Sequence, residues 1–481
     1  MNHPRFVAGV DSSTQSCKYI VVNAATGALV ASTALPHPEG TALDPSHWWN
    51  AFDGVGAAAA RGVDAISITA QQHTTILLDE AGKSVRDAIL WNDSRAAGQA
   101  QYLRNELGAS EWIREVGSLP TAAHPVSKLR WLSENEPANA ERVHHVMMPH
   151  DWLTWHMLGA NNEPTTDRSD ASGTGYWSPT ANTYRENLME LAFGRRITAP
   201  RVLGPSERAG VTSSGLVVGA GSGDNASTLL GLGSRPGEAV ISVGTSLTVS
   251  MTTDRLVSDE TGNVSAMADA SGSYLPIVAT LNGARTLTSV ARLLGVAIDE
   301  LDMLANKAPP DAAGLAFLPY LDGERTPLLP DASGALLGLT RTSMRPENLA
   351  RAAVLGLSCA IASAVDSLKS AGLAPTTLTM VGGGAKSLAL RQAVADMTGI
   401  DVHWPEGFEF AARGAARQAA WTLTGELPDW GRPPARISVA GSNLDWVAPV
   451  REAHSTAVNR LTEQLSSDSA ASDATSANLE P

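Results

Sequence analysis

The chain has 481 residues, 43% of them hydrophobic and 17% charged. That is enough for roughly two to four domains with a sizeable core. A formal charge of −14 argues against binding nucleic acid or a membrane surface through a generic basic face. Two cysteines, Cys17 and Cys359, are too few for a disulfide framework or a cysteine-based metal site, and both read as core thiols. No charged-then-apolar leader precedes Phe6, and no run reads as long and apolar enough to span a bilayer. The expectation is a cytoplasmic protein without nucleic-acid or membrane partners.

Phe6–Val10 is apolar, Asp11–Ser16 is a polar turn, and Lys18–Asn23 is a second strand, which together predict a β-hairpin. A third strand is expected over Leu29–Leu35, and a helix from Pro45 to about Arg61. Asp64–Thr69 returns to strand, with Ile76–Leu78 expected to pair with it. Strands then alternate with helices, the pattern of a layered α/β domain. Leu216–Val218 predicts a buried strand, followed by the glycine-rich turn Gly219–Ser227 and a helix from Thr228. Gly231–Gly237 reads as a glycine- and proline-rich joint.

Ala239–Val249 repeats the grammar of the first hairpin, with Thr245 in the place of Thr14. Two such hairpins suggest an internal duplication, and turns of this type can nest phosphate. A helix is expected over Arg345–Ala371, a strand over Thr377–Val381, the turn Gly382–Ser387, and a helix over Leu388–Thr398. Strand, glycines and helix N-terminus form a possible phosphate or nucleotide cradle, though a tight strand–helix turn reads the same way. Arg413–Leu423 predicts a further helix, and Ser466–Pro481 a disordered tail.

One carboxylate, Asp224, enters a helix at a strand's C-terminal end, where ligands bind in α/β folds. Asp is also a favoured helix cap. Asp224 stands where a dinucleotide fingerprint needs its third glycine, and Ala385 replaces the glycine before lysine in a Walker loop. Any nucleotide is therefore handled by another architecture. His144, His145 and His150 lack accompanying spaced ligands and read as surface or packing residues.

Over Phe6–Leu423 the chain resembles the FGGY carbohydrate kinases, and within them those acting on xylulose. The resemblance rests on Gly9–Lys18, Ala70–His73, Ile89–Arg95, Asp167–Thr174, Gly221–Asn225, Ser242–Ser246, Phe317–Pro327 and Val381–Ala385, in family order. It implies an α/β fold of two duplicated actin-like (ribonuclease H-like) ATPase domains flanking a central cleft. The N-terminal, sugar-binding domain would span 1–233 and the nucleotide-binding domain 237–445. A C-terminal helix over 446–465 and the tail 466–481 would follow.

The resemblance implies Asp224 as general base and Asp11 as the carboxylate holding Mg²⁺ through water. A helix N-terminus is expected to keep the Asp224 carboxyl low in pKa. Gln72, His73, Asp224, Asn225 and Trp91 would form the sugar site. Thr14, Lys18, Gly244, Thr245, Gly383, Gly384 and Ala385 would surround ATP; Lys18 also reads as a solvated strand residue. Arg413 departs from the small or aliphatic residues common on the adenine-side helix. The reaction implied is ATP-dependent phosphorylation of D-xylulose to D-xylulose 5-phosphate, with a homodimer as a possible assembly. A same-fold kinase of ribulose, fuculose or glycerol, and a non-catalytic sugar or nucleotide sensor, stay open; intact Asp11 and Asp224 weigh against the sensor.

Overall fold

Two sheets organise the chain, and they share one topology. The computed structural model describes residues 5–407 and 409–477. The first sheet orders its strands Arg208–Val211, Val217–Gly219, Ala65–Ala70, Phe6–Ser12, Ser16–Asn23 and Leu29–Pro36. Phe6–Ser12 pairs antiparallel with Ser16–Asn23 and parallel with Ala65–Ala70. The second sheet repeats this with Ala435–Ser438, Val402–Pro405, Thr377–Val381, Glu238–Val243, Leu247–Met251 and the strand ending at Thr280. Glu238–Val243 again pairs antiparallel with the next strand and parallel with Thr377–Val381. The same parallel and antiparallel steps in the same order are the physical content of the duplication read from the two hairpins.

The chain divides into two compact units. One comprises residues up to Pro236 with Thr252–Pro276 and Gly407–Pro433; the other comprises Gly237–Met251, Ile277–Glu406 and Pro434 onward. The break at Pro236/Gly237 coincides with the joint, but the second domain, expected as continuous over 237–445, is interrupted twice. The helix Phe410–Thr424 is the main reason. It packs against Phe6–Ser12 and the helix Asp224–Leu232, within the first unit. Glycines allow the approach: a Cβ on Gly9 would lie 1.9 Å from the Ala412 carbonyl, and one on Gly414 1.8 Å from that of Ser227.

Three further differences have local causes. Ile76–Leu78 pairs with His145–Met147 and not with the strand before it, because the intervening loop turns away at His73, a non-glycine residue at φ +63°. The helix Pro346–Ser370 is long and apolar enough to cross a membrane by length and composition, contrary to the reading of the sequence. Most of it is buried in the protein's own interior, which is why it is apolar. The C-terminal helix runs over Val447–Ala477, past the expected onset of disorder at Ser466. Alanine, the best helix former, recurs in that stretch; residues 478–481 lie outside the described ones.

Candidate active site

The sugar-site residues expected from sequence converge at the C-terminal end of the strand Ala65–Ala70. Ser222–Gly223 adds to that strand's edge, Ser222 opposite Thr69 and Gly223 opposite Ala70, and the Thr69 hydroxyl donates to the Ser222 carbonyl at 2.8 Å. This pairing brings the Asp224 turn beside Gln71–His73. Two glycines make the turn fit. Gly221 sits at φ +82°, and a Cβ there would lie 2.3 Å from His150 Cδ2; a Cβ on Gly223 would lie 2.4 Å from Gln72 Cδ.

A chain of hydrogen bonds links these groups. Gln72 Nε2 donates to the Ser169 carbonyl at 3.3 Å. Asn225 Nδ2 donates to Gln72 Oε1 at 3.2 Å and to Asp224 Oδ1 at 3.0 Å. The Asn225 backbone N–H also donates to Asp224 Oδ1 at 2.8 Å. His73 Nδ1 donates to the Gly173 carbonyl at 2.8 Å. Buried Lys128 donates to the His73 carbonyl at 2.8 Å and that of Ile89 at 3.1 Å, fixing the strained residue in place.

Asp224 is the first residue of the helix Asp224–Leu232, yet its carboxyl is not held low. Burial, with the nearby carboxylates of Asp11 and Asp170, pushes it up to about 7 against the amide of Asn225. The expectation from the helix N-terminus is corrected: desolvation and like charge outweigh a dipole worth ~0.3–1 kcal/mol. A carboxylate near 7 is well matched to proton abstraction at neutral pH.

Asp11 is the penultimate residue of the strand Phe6–Ser12, 5% exposed. Burial raises its carboxyl to about 6, opposed by Lys18 and helped by Glu409. Lys18, directly opposite in the sheet register, lies 3.8 Å from Asp11 Oδ2 and 2.5 Å from Glu409 Oε2. Asp11 Oδ1 is buried and meets no donor among the described residues. A buried carboxylate oxygen with nothing to accept from suits a hydrated divalent cation.

Thr14 and Trp91 meet, the indole N–H donating to Thr14 Oγ1 at 2.8 Å, and that hydroxyl reaches Gln71 Oε1 at 3.4 Å. Thr14, expected near ATP, thus touches a residue expected near the sugar. Trp91 is half-buried.

In the second unit, Gly244 and Thr245 form the hairpin turn, with the Gly244 carbonyl accepting from Ala284 N–H at 2.8 Å. Gly383, Gly384 and Ala385 form a short 3-10 turn after Thr377–Val381. The helix behind them, Leu388–Thr398, is already capped. Asp302 accepts from Leu388 and Ala389 N–H at 3.2 and 3.1 Å, and Ser387 Oγ from Leu390 N–H at 3.0 Å. The first three amides of the helix read from sequence as a possible phosphate cradle thus already have acceptors within the protein. Arg413 is a buried tie, donating to the Gly231 carbonyl with its guanidinium 5.5 Å from the Trp430 ring centre.

Sequence reasoning missed His150. It is fully buried, donating from Nδ1 to Asp170 at 2.5 Å with Nε2 3.3 Å from Asp151. Burial opposes its charge, but the carboxylates of Asp151 and Asp170 raise it to about 10. Only the three-dimensional pairing of distant residues could reveal it.

The model of the FGGY family of carbohydrate kinases matches with its N-terminal domain over residues 6–231 and its C-terminal domain over 239–423. The chain belongs to the FGGY family of carbohydrate kinases. It is 42% identical to the xylulose kinase of Streptomyces coelicolor, over 96% of each chain, and 42% identical to that of Streptomyces rubiginosus, over 88% of this chain and 89% of the relative. The crystal structure of xylulose kinase from Bifidobacterium adolescentis superposes with a TM-score of 0.84 at 38% identity, covering 94% of this chain and 99% of that one. The α/β, actin-like architecture implied by the sequence is the fold found.

Proposed function

We propose that the protein transfers the γ-phosphoryl group of ATP to D-xylulose, giving D-xylulose 5-phosphate, with Asp224 as general base. The observation that carries this reading is the hydrogen-bonded line Ser169–Gln72–Asn225–Asp224, which joins the proposed sugar contacts to a carboxylate poised near neutrality. The similarity to xylulose kinases from several bacteria selects the sugar.

Gln72, His73, Asn225 and Trp91 orient the ketose so that one hydroxyl donates to the Asp224 carboxylate. As that oxygen bonds to the γ-phosphorus, its proton passes to Asp224 and the bond to the ADP oxygen breaks. The loose character of such transition states lets proton removal come late, so positioning and charge neutralisation carry most of the rate. Asp11 is the residue that would hold Mg²⁺, whose charge would offset that of the phosphates. Lys18 tempers the negative field around Asp11. Gly244, Thr245, Gly383, Gly384 and Ala385 are the proposed ATP contacts.

The test is ADP release with ATP and Mg²⁺ across D-xylulose, D-ribulose, L-ribulose, L-fuculose and glycerol, with Asp224→Ala as control. Turnover on D-xylulose that is lost in the control supports the reading. Preference for another sugar keeps the mechanism and replaces the substrate. No turnover by folded protein on any of them overturns it.

A further inference from the structure

Beneath the proposed site lies a buried ionic cluster of which the reaction as described uses only the charge of Asp170 on Asp224. Asp170 belongs to the short helix Arg168–Ser172, whose N-terminal amides at Ser169 and Asp170 are capped by the Asp167 carboxylate at 2.8 and 3.0 Å. His150 and Asp151 belong to the helix Pro149–Met157, where Asp151 accepts from Met148 N–H at 2.8 Å. Asp170 and His150 are each 0% exposed. Burying such a pair is costly and gives little net stability, so its presence calls for a use.

We propose that Asp170 and His150 are positioning residues for phosphoryl transfer: their ion pair clamps the Arg168–Ser172 helix so that Ser169 holds the Asp224 turn and Gln72 together.

The contacts run in both directions from the pair. Ser169, next to Asp170, accepts the Gly223 N–H on its hydroxyl at 3.0 Å and the Gln72 amide on its carbonyl at 3.3 Å. Gly173, just past the helix, accepts from His73 Nδ1 at 2.8 Å. On the other side, the His150 ring stands against Gly221, leaving no room for a Cβ. One short helix thus sets two of the proposed sugar contacts, Gln72 and His73, and the turn bearing the base, and the ion pair pins it. The groups acting on His150 are Asp151, Asp170 and Asp167, which raise it against burial, while burial raises the carboxyls of Asp151 and Asp167 themselves to about 7 and about 6.

This inference rests on the proposed kinase reading. The test compares the parent with Asp170→Asn, His150→Gln, the double variant and Ser169→Ala, varying D-xylulose and ATP separately and recording thermal unfolding. Expected is a fall of about 10- to 100-fold in kcat/KM for the sugar in Asp170→Asn and Ser169→Ala, the scale of a small misplacement of reacting groups, with KM for ATP within about two-fold of the parent. The double variant should be no worse than the poorer single one, since the pair acts as a unit. Parent-like sugar kinetics in folded Asp170→Asn overturn the proposal. So does a fall in melting temperature with sugar and ATP parameters changed alike, which marks a merely structural pair. Ser169→Ala leaves the ion pair intact and decides the matter should Asp170→Asn not fold: a parent-like sugar KM there overturns the clamp. An inactive parent overturns the kinase reading, and the proposal with it; an active parent with indifferent variants overturns the clamp alone.

Discussion

Gly221 and Gly223 stand two residues apart, and an added methyl should fail differently at each. At Gly223 the backbone, φ −68° and ψ 152°, is open to alanine. The new Cβ would lie 2.4 Å from Gln72 Cδ and Nε2, so a flexible side chain must leave. It would take with it the bonds to Asn225 at 3.2 Å and Ser169 at 3.3 Å. Two neutral hydrogen bonds at ~0.5–1.5 kcal/mol each sum to about 1–3 kcal/mol, or roughly 5- to 150-fold in kcat/KM. At Gly221 the φ of +82° and the contacts at 2.3 Å with His150 and 2.8 Å with the Ile68 carbonyl leave nothing flexible to move. The left-handed backbone costs ~1–2 kcal/mol and overpacking ~1–3 kcal/mol, all against fold stability. Steady-state kinetics on D-xylulose and urea unfolding should therefore show Gly223→Ala crippled but stable, and Gly221→Ala destabilised by about 2–5 kcal/mol. Gly223→Ala with parent kinetics, or with a stability loss matching that of Gly221→Ala, would refute the reasoning.

Other perturbations follow from the same geometry. Asp224→Ala should abolish turnover yet leave sugar binding, measured calorimetrically, within a few-fold, since the carboxylate is needed for the proton and Gln72 and His73 remain. Because a general base acts only when ionised and the Asp224 carboxyl is raised to about 7, the proposed role predicts that kcat/KM rises about tenfold per pH unit below that value and levels above it; a profile flat from pH 5.5 to 8 would exclude it as base. Lys18→Met removes the cation that lowers the Asp11 carboxyl, so the Mg²⁺ concentration for half-maximal activity should rise at pH 6.5, and less at pH 8.5 where Asp11 is ionised regardless. Gly414→Ala, whose Cβ would meet the Ser227 carbonyl at 1.8 Å, should cost about 2–3 kcal/mol or more in urea unfolding by forcing two helices apart.

What can be read from sequence is local. The strand Thr377–Val381 and the helix Leu388–Thr398 fall where expected, because alternating apolar residues, glycines and a capping serine mark their bounds. The Asp224 turn is legible for the same reason. What escapes are partners far apart in the chain. Asp302 reaches the amides of a helix 86 residues later. His150 and Asp170 lie 20 residues apart on different helices. The helix Phe410–Thr424 joins the first unit through two glycines that carry no local signal for it. Even the Asp224 carboxyl is misjudged from sequence, since the helix it begins is visible there while the carboxylates around it are not.

The duplication sharpens the assignment of the base. In each copy the hairpin's first strand is followed, beyond two parallel steps, by a helix that begins at an acid. The helix after Val217–Gly219 begins with Asp224, and the helix after Val402–Pro405 is preceded directly by Glu409. The surroundings of the two acids have diverged. Asp224 faces the carboxylates of Asp11 and Asp170, which raise its affinity for a proton. Glu409 is ion-paired to Lys18. Asp11 and Lys18 face each other in the first hairpin, whereas the matching register of the second places Ser242 opposite Thr248. The first copy has thus gained a metal-suited acid and a lysine on adjacent strands. Two topologically similar carboxylates thus stand in different settings, Glu409 ion-paired to Lys18 and Asp224, the proposed base, beside other acids.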